Sequence, residues 1–333
     1  HVFLSKMKKV LVLGAGFGGI ASAIRLKKKG YEVEIVDRCN SLGGRAQVFN
    51  TNGFKHDAGP TLITAPFLFK ELFQLFNKDI NNYINFVPLN PWYRFVFNDL
   101  STFDYESSLE KTIQNISLIS PEDAINYPKM LKASKDIYDI AFSELADKPF
   151  HSFLFMCKQI PSLLKFKSHK SVYSFVSQFL SHDKLRRAFS IPPLLVGGNP
   201  FTTTSIYSLI HYLETAHGVY FAMGGTGKIV KELGKLLDEI GVKVSLNTTI
   251  EKINIKDSNI CEVIDNFGNI RKANTYVSNM DSSYNSKTIG GNFIHENYYE
   301  WRVQAYCSQN QSYYSEWSVI DTFYIGNFLA EAF

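Results

Sequence analysis

The sequence predicts an α/β fold: a Rossmann-like domain on a parallel sheet with a β-meander, joined to a largely helical second domain. Three observations predict it. An apolar run near the amino terminus passes directly into Gly14, Gly16 and Gly19 in G-x-G-x-x-G spacing. Residues from about 100 to 215 read mostly as helices, and residues 242–281 return to the alternating pattern of strands.

Residues 8–13, rich in Val and Leu, have the pattern of a strand buried on both faces. Ile20, Ala23 and Ile24 then recur at helical spacing until Gly30 stops the helix, and YEVEIVD follows as a second strand. In such a βαβ unit Gly14 allows the tight turn, Gly16 lets the backbone approach a pyrophosphate, and Gly19 permits close helix–strand packing. The free N–H groups of the helix N-terminus face the diphosphate. Asp37 ends the second strand, placed for ribose hydroxyls, and its charge would repel the extra phosphate of NADP. The turn alone could hold NAD or FAD, and glycines in this spacing also occur in ordinary loops.

Gly43 and Gly44 precede Arg45, whose planar fork suits phosphate oxygens; without further context they are a turn and a surface cation. A hairpin leads from there to DAGP at 57–60. PEDAINYPKMLKASKDIYDIAFSEL opens with first-turn acids and keeps helical spacing. The segment at 150–170 interleaves Phe150, Phe153, Phe155 and Phe166 with Lys158, Lys165, Lys167 and Lys170. It suits either a surface dipping into an anionic membrane or a helical core with a wet lysine face. LLVGGNPF enforces a loop whose apolar character fits either a channel for an oily substrate or a buried connection.

GGTGKIV at 224–230 is not a phosphate loop of the NTPase type, because Ala222 replaces its first glycine and Ile229 the magnesium-binding hydroxyl. Ile229, Val230, Leu233, Leu236, Leu237 and Ile240 instead give the following helix one packing face. Val242, Val244 and Leu246 alternate, and IEKINI and CEVIDNFGNIRKANTYVSN complete strands with a turn at 266–268.

The 333 residues are 45% apolar and 20% charged, an ordinary globular balance with room for two domains. A net charge of +4, spread along the chain, gives no basis for nucleic-acid binding. Four well-separated cysteines suggest neither a disulfide framework nor zinc, and His211 and His217 lack metal-ligand spacing. No apolar run has spanning length, and HVFLSKM lacks signal-peptide features, with Met7 the expected natural start.

GAGFGGIASAIRLKKKG, LGGRAQV, GFKHDAGPTLIT, LLVGGNPF, SIYSLIHYLE, GVYFAMGGTGKIV and VSLNTTIEKI occur in order over residues 7–283. Through them the chain resembles the bacterial phytoene desaturases of the lycopene-forming carotenoid type, within the FAD-dependent amine oxidase-like flavoproteins. The resemblance implies FAD held by Gly14, Gly16 and Gly19 at the diphosphate and Asp37 at the ribose, with Gly44 and Arg45 nearby. It places Gly59, Pro60 and Thr61 close to the flavin ring and Ile250 at the adenine. It implies desaturation of phytoene or a related C40 polyene by a cytoplasmic protein held peripherally on a membrane through about 150–170.

On this reading 7–75 and 219–283 form the FAD-binding part, and 76–218 the substrate and membrane part. Residues 284–333 form an unrelated tail, weakly like fibronectin type III strands, in place of the family's closing segment; activity of such a chain is in doubt. Another polyene oxidoreductase, either a later-step desaturase or a ketolase, and a non-redox prenyl-lipid binder are the alternative readings. No catalytic base or oligomeric state is assigned.

Overall fold

The computed structural model describes residues 8–57, 59, 61–142, 145, 169–256 and 259–280. Its first strand, β1 (Lys9–Leu13), is buried along its length after Lys9. It feeds α1 (Phe17–Lys28), which buries Phe17, Ile20, Ala21, Ala23 and Ile24 and closes on Arg25, Lys27 and Lys28, cations suited to the negative end of the helix dipole. β2 (Glu32–Val36) follows. β3 (Val48–Thr51) and β4 (Phe54–Asp57) pair as a hairpin turning through Asn52 and Gly53, both at positive φ.

β5 (Leu62–Ile63), α2 (Pro66–Gln74) and β6 (Phe86–Pro88) come next. β7 (Tyr93–Val96) and β8 (Thr102–Tyr105) then pair antiparallel, so strand structure extends past residue 100, where the sequence suggests helix. The cause is burial of Phe103 and Tyr105 on one face, a period-two signal carried by only two residues. α3 (Leu109–Ile119) and α4 (Pro121–Ala141) are capped by Ser108 and Ser120, whose Oγ atoms accept from the N–H groups of Lys111 and Asp123. α5 (Val172–Val176), α6 (Asp183–Ala188), α7 (Leu209–His217), β9 (Tyr220–Ala222) and α8 (Thr226–Glu239) continue the chain. β10 (Lys243–Ser245), β11 (Ile250–Lys256), β12 (Asn259–Asp265), β13 (Ile270–Arg271) and β14 (Thr275–Ser278) end it.

The chain divides into two units, the first containing residues up to 59, 70–84 and those from 224, the second 60–69 and 85–223. In the first, a parallel sheet runs in the order β10-β2-β1-β14. An antiparallel meander, β11-β12-β13, packs on it through Leu11, Leu13, Val36, Ile250, Ile253, Val263 and Tyr276. Glu34, on the central strand β2, is buried yet surrounded by Lys9 Nζ at 3.0 Å, Lys243 Nζ at 3.2 Å and Arg271 Nη1 at 2.5 Å. Burial alone would push its carboxyl up; hydrogen bonds from Lys9 and Lys243 outweigh that and hold it below the usual range.

The second unit combines the small sheet β5-β9-β6 and the β7-β8 hairpin with helices α3 to α7. Its core is aromatic: Phe189 packs on Phe103, Tyr105 and Tyr127 with ring centroids 5.0 to 5.6 Å apart. The 150–168 part of the aromatic and lysine segment, Pro60 and the tail after Met280 lie outside the described residues.

Candidate functional site

β1 ends at Leu13 and the chain turns at once through Gly14, whose φ of +99° is open only to a residue without a side chain. The turn is tied on two sides. Gly14 N–H donates to Val36 O at 2.8 Å, and Gly43 N–H donates to Ala15 O at 2.8 Å, which lays the Gly43–Gly44 turn beside Gly16. A methyl group on Gly19 would fall 2.0 Å from Gly14 O, so close helix–strand packing is the reason for that glycine. One on Gly44, itself at φ +58°, would sit 3.0 Å from Gly16 Cα. Bare backbone thus meets bare backbone at the start of α1.

Asp37 sits at the end of β2 as the spacing requires, and both carboxylate oxygens brace this turn. Oδ2 accepts from Ala15 N–H at 2.6 Å and Oδ1 from Cys39 N–H at 2.8 Å. Each oxygen keeps a second lone pair for a ribose hydroxyl. Burial and the neighbouring Asp37 carboxylate push the Cys39 thiol up, which leaves it a neutral neighbour.

α1 opens on Gly16 with no side-chain cap and no acid in its first turn. Its N-terminal N–H groups therefore meet no competing carboxylate from the helix itself, and the positive end of the dipole is unopposed. A capless helix start, two close-packed glycine turns and a braced acid fit the diphosphate and ribose of a dinucleotide such as FAD.

Gly14, Gly16, Gly19, Asp37 and Gly44 come together here. Arg45 is exposed beside them, and Gly59 packs against the Arg45 carbonyl and Ala46 Cα, each 3.0 Å from where its Cβ would be. Ile250 is only 3% exposed and its side chain lies in the cluster with Leu13 and Val36, so it borders the turn from below. Thr61 belongs to the second unit and is exposed.

Two features escape motif reading. Asn279, one residue past β14, lies against the glycine turn; the only sequence signal is its place at the end of a returning parallel strand. The second unit also buries Glu214 and His211, each 2% exposed, one helical turn apart on α7. Tyr93 OH donates to Glu214 Oε1 at 2.6 Å, and burial pushes that carboxyl up to about 8 despite this bond. His211 is buried beside the Phe189 ring, and burial lowers it to about 4. His217 is only partly buried, and its Nε2 lies 3.0 Å from Tyr138 OH.

The profile of the flavin containing amine oxidoreductases matches residues 17–287. A phytoene desaturase (lycopene-forming) from Pseudescherichia vulneris is 39% identical over 275 residues, which are 83% of this chain and 56% of that protein. One from Pantoea ananas is 41% identical over 244 residues, 73% of this chain and 50% of that protein. The chain thus spans about half the length of the curated relatives it matches. Among solved structures, an oxidoreductase from Methanosarcina mazei shares the fold with a TM-score of 0.58 at 19% identity, over 86% of this chain and 62% of that one.

Proposed function

Because the chain belongs to the flavin containing amine oxidoreductases, whose cofactor is FAD, we propose that the whole protein desaturates phytoene or a related C40 polyene. The observation that carries this reading is the identity shared with lycopene-forming phytoene desaturases over most of the chain. When bound, FAD supplies the acceptor for a hydride leaving a saturated carbon–carbon bond.

The chain's own residues do the holding. Gly14, Gly16 and Gly19 shape the turn that takes the diphosphate, with the N–H groups at the start of α1 facing it, Gly44 and Arg45 flank it, and Asp37 accepts from the ribose. Ile250 contributes to the adenine through its backbone, since its side chain is committed to the core. Gly59, Pro60 and Thr61 are assigned to the flavin-ring end. Residues 7–75 and 219–283 form the FAD-binding part and 76–218 the substrate part, whose apolar walls orient the polyene and exclude water. Peripheral contact with the membrane, on the cytoplasmic side, is assigned to about 150–170. Among the described residues no helix is long and apolar enough to cross a membrane.

Expression in cells that accumulate phytoene, followed by chromatography of the pigments and a spectrum of the purified protein, tests this. The expected result is a yellow flavoprotein and desaturated products. Unchanged phytoene with a colourless protein overturns the reading. A flavoprotein that ignores phytoene but converts longer conjugated polyenes moves the activity to a later step.

A further inference from the structure

Asn279 belongs to none of the sequence motifs, yet it fills the space that a side chain on any of the three fingerprint glycines would enter. Its backbone N–H donates to Leu13 O at 2.7 Å, carrying the β1–β14 ladder one residue beyond β14. From there it reaches all three glycines. A methyl group on Gly14 would lie 3.0 Å from the Asn279 carbonyl oxygen, one on Gly16 3.0 Å from its carboxamide Nδ2, and one on Gly19 3.5 Å from its Cβ.

The side chain is half-buried, and its carboxamide makes no hydrogen bond among the described residues. A carboxamide carries two N–H donors and one acceptor, and ordering it without a partner costs free energy. Here its nitrogen is held beside Gly16, the glycine whose missing side chain admits a pyrophosphate. Asp37, the acid that braces the turn, accepts from Ala15 and Cys39 N–H.

We infer that Asn279 is a cofactor-binding residue, donating from its carboxamide to the diphosphate of FAD beside Gly16. The inference rests on the FAD reading above. It adds a side-chain donor, delivered from the end of β14, to a cradle of backbone N–H groups flanked by Arg45. A hydrogen bond to a charged oxygen is among the stronger kinds, so its loss is measurable.

The test is a fluorescence titration of the purified chain with FAD for the parent, Asn279→Ala and Asn279→Asp. Each apo protein is also unfolded in urea. Asn279→Ala is expected to weaken FAD binding about tenfold or more. Asn279→Asp, nearly the same shape but anionic, is expected to weaken it further, with part of the loss recovered at high salt. Apo unfolding midpoints are expected to stay close to that of the parent. FAD binding by Asn279→Asp as tight as the parent's overturns the inference and leaves the FAD reading standing. A shifted apo midpoint with unchanged affinity makes Asn279 a wedge that only shapes the turn, which also overturns it. A folded parent that takes up no FAD removes the reading beneath it as well.

Discussion

Glu34 and Asp265 of the glycine-turn unit and Glu214 and His211 of the helical unit meet burial in opposite ways. In the first, Glu34 is met by Lys9, Lys243 and Arg271, while Asp265, fully buried, accepts from the N–H groups of Phe267 and Asn269 and from Arg271 Nε. In the second, Glu214 is met by the Tyr93 hydroxyl and His211 is buried beside the Phe189 ring. Glu34 and Asp265 are held below the usual carboxylate range and fix geometry; Glu214 and His211 avoid ionisation because burial disfavours their charged forms. The contrast separates the unit proposed to hold the cofactor, built by exact backbone placement, from the one proposed to take the polyene.

Gly19→Ala is the largest expected disruption. Its new methyl would meet the Gly14 carbonyl at 2.0 Å, and Gly14 is itself held in a conformation that cannot rotate away. We expect a loss of about 3 kcal/mol or more, read as a lower urea midpoint at constant slope, together with loss of FAD uptake. A variant as stable as the parent would show that the turn yields, and the idea of exact backbone placement would fail.

Glu214→Gln probes the opposite regime. The carboxyl lies near 8 in the folded protein, above its ordinary 4.5, so its contribution to stability is complete below about pH 4.5 and is lost as pH rises toward 8. At about 1.4 kcal/mol per pH unit, the penalty at pH 7 is on the order of 3 kcal/mol. Glutamine keeps the acceptor for Tyr93 and removes the titration. Urea midpoints should therefore coincide near pH 4.5 and separate at higher pH in favour of the variant. Parallel curves across that range would mean that Glu214 is as well compensated as Glu34, erasing the contrast.

Asp57→Ala is the smallest effect. Asp57 Oδ2 accepts from Thr226 N–H at 3.1 Å at the start of α8, and Gly225 before it allows the approach, since a methyl there would lie 2.3 Å from that oxygen. Losing this cap should cost about 1 kcal/mol, with Asp57→Asn close to the parent. Calorimetric or urea midpoints for the pair would sharpen how much of the first unit's geometry depends on such single side chains.

What could be read beforehand follows the same division. Gly14, Gly16, Gly19, Gly44 and Asp37 were legible because positive φ, close backbone approach and a fixed strand–turn–helix length leave few residue choices. α4 was legible from its first-turn acids and helical spacing, and α8 from its apolar face. The β7-β8 hairpin was not, because four-residue strands carry too few alternations. Glu214 reads as one more polar residue in SIYSLIHYLE; only packing around Tyr93, Tyr105 and Tyr127 makes it unusual. Asn279 was hidden for a different reason, since its contacts lie at the other end of the sequence.

That last pairing bears on how the chain is made. β1 is the second strand to receive both of its neighbours only when β14 exists, so during synthesis the most apolar strand of the sheet waits with one edge bare until residues 275–278 have emerged. An unpaired apolar edge is a site for mispairing with other chains, and the long separation slows its proper closure. Shortened versions ending before Thr275 should therefore aggregate during expression even though every residue of the glycine turn is present. The nascent polypeptide carries its nucleotide loop early but can pair the second edge of β1 only once residues 275–278 have emerged.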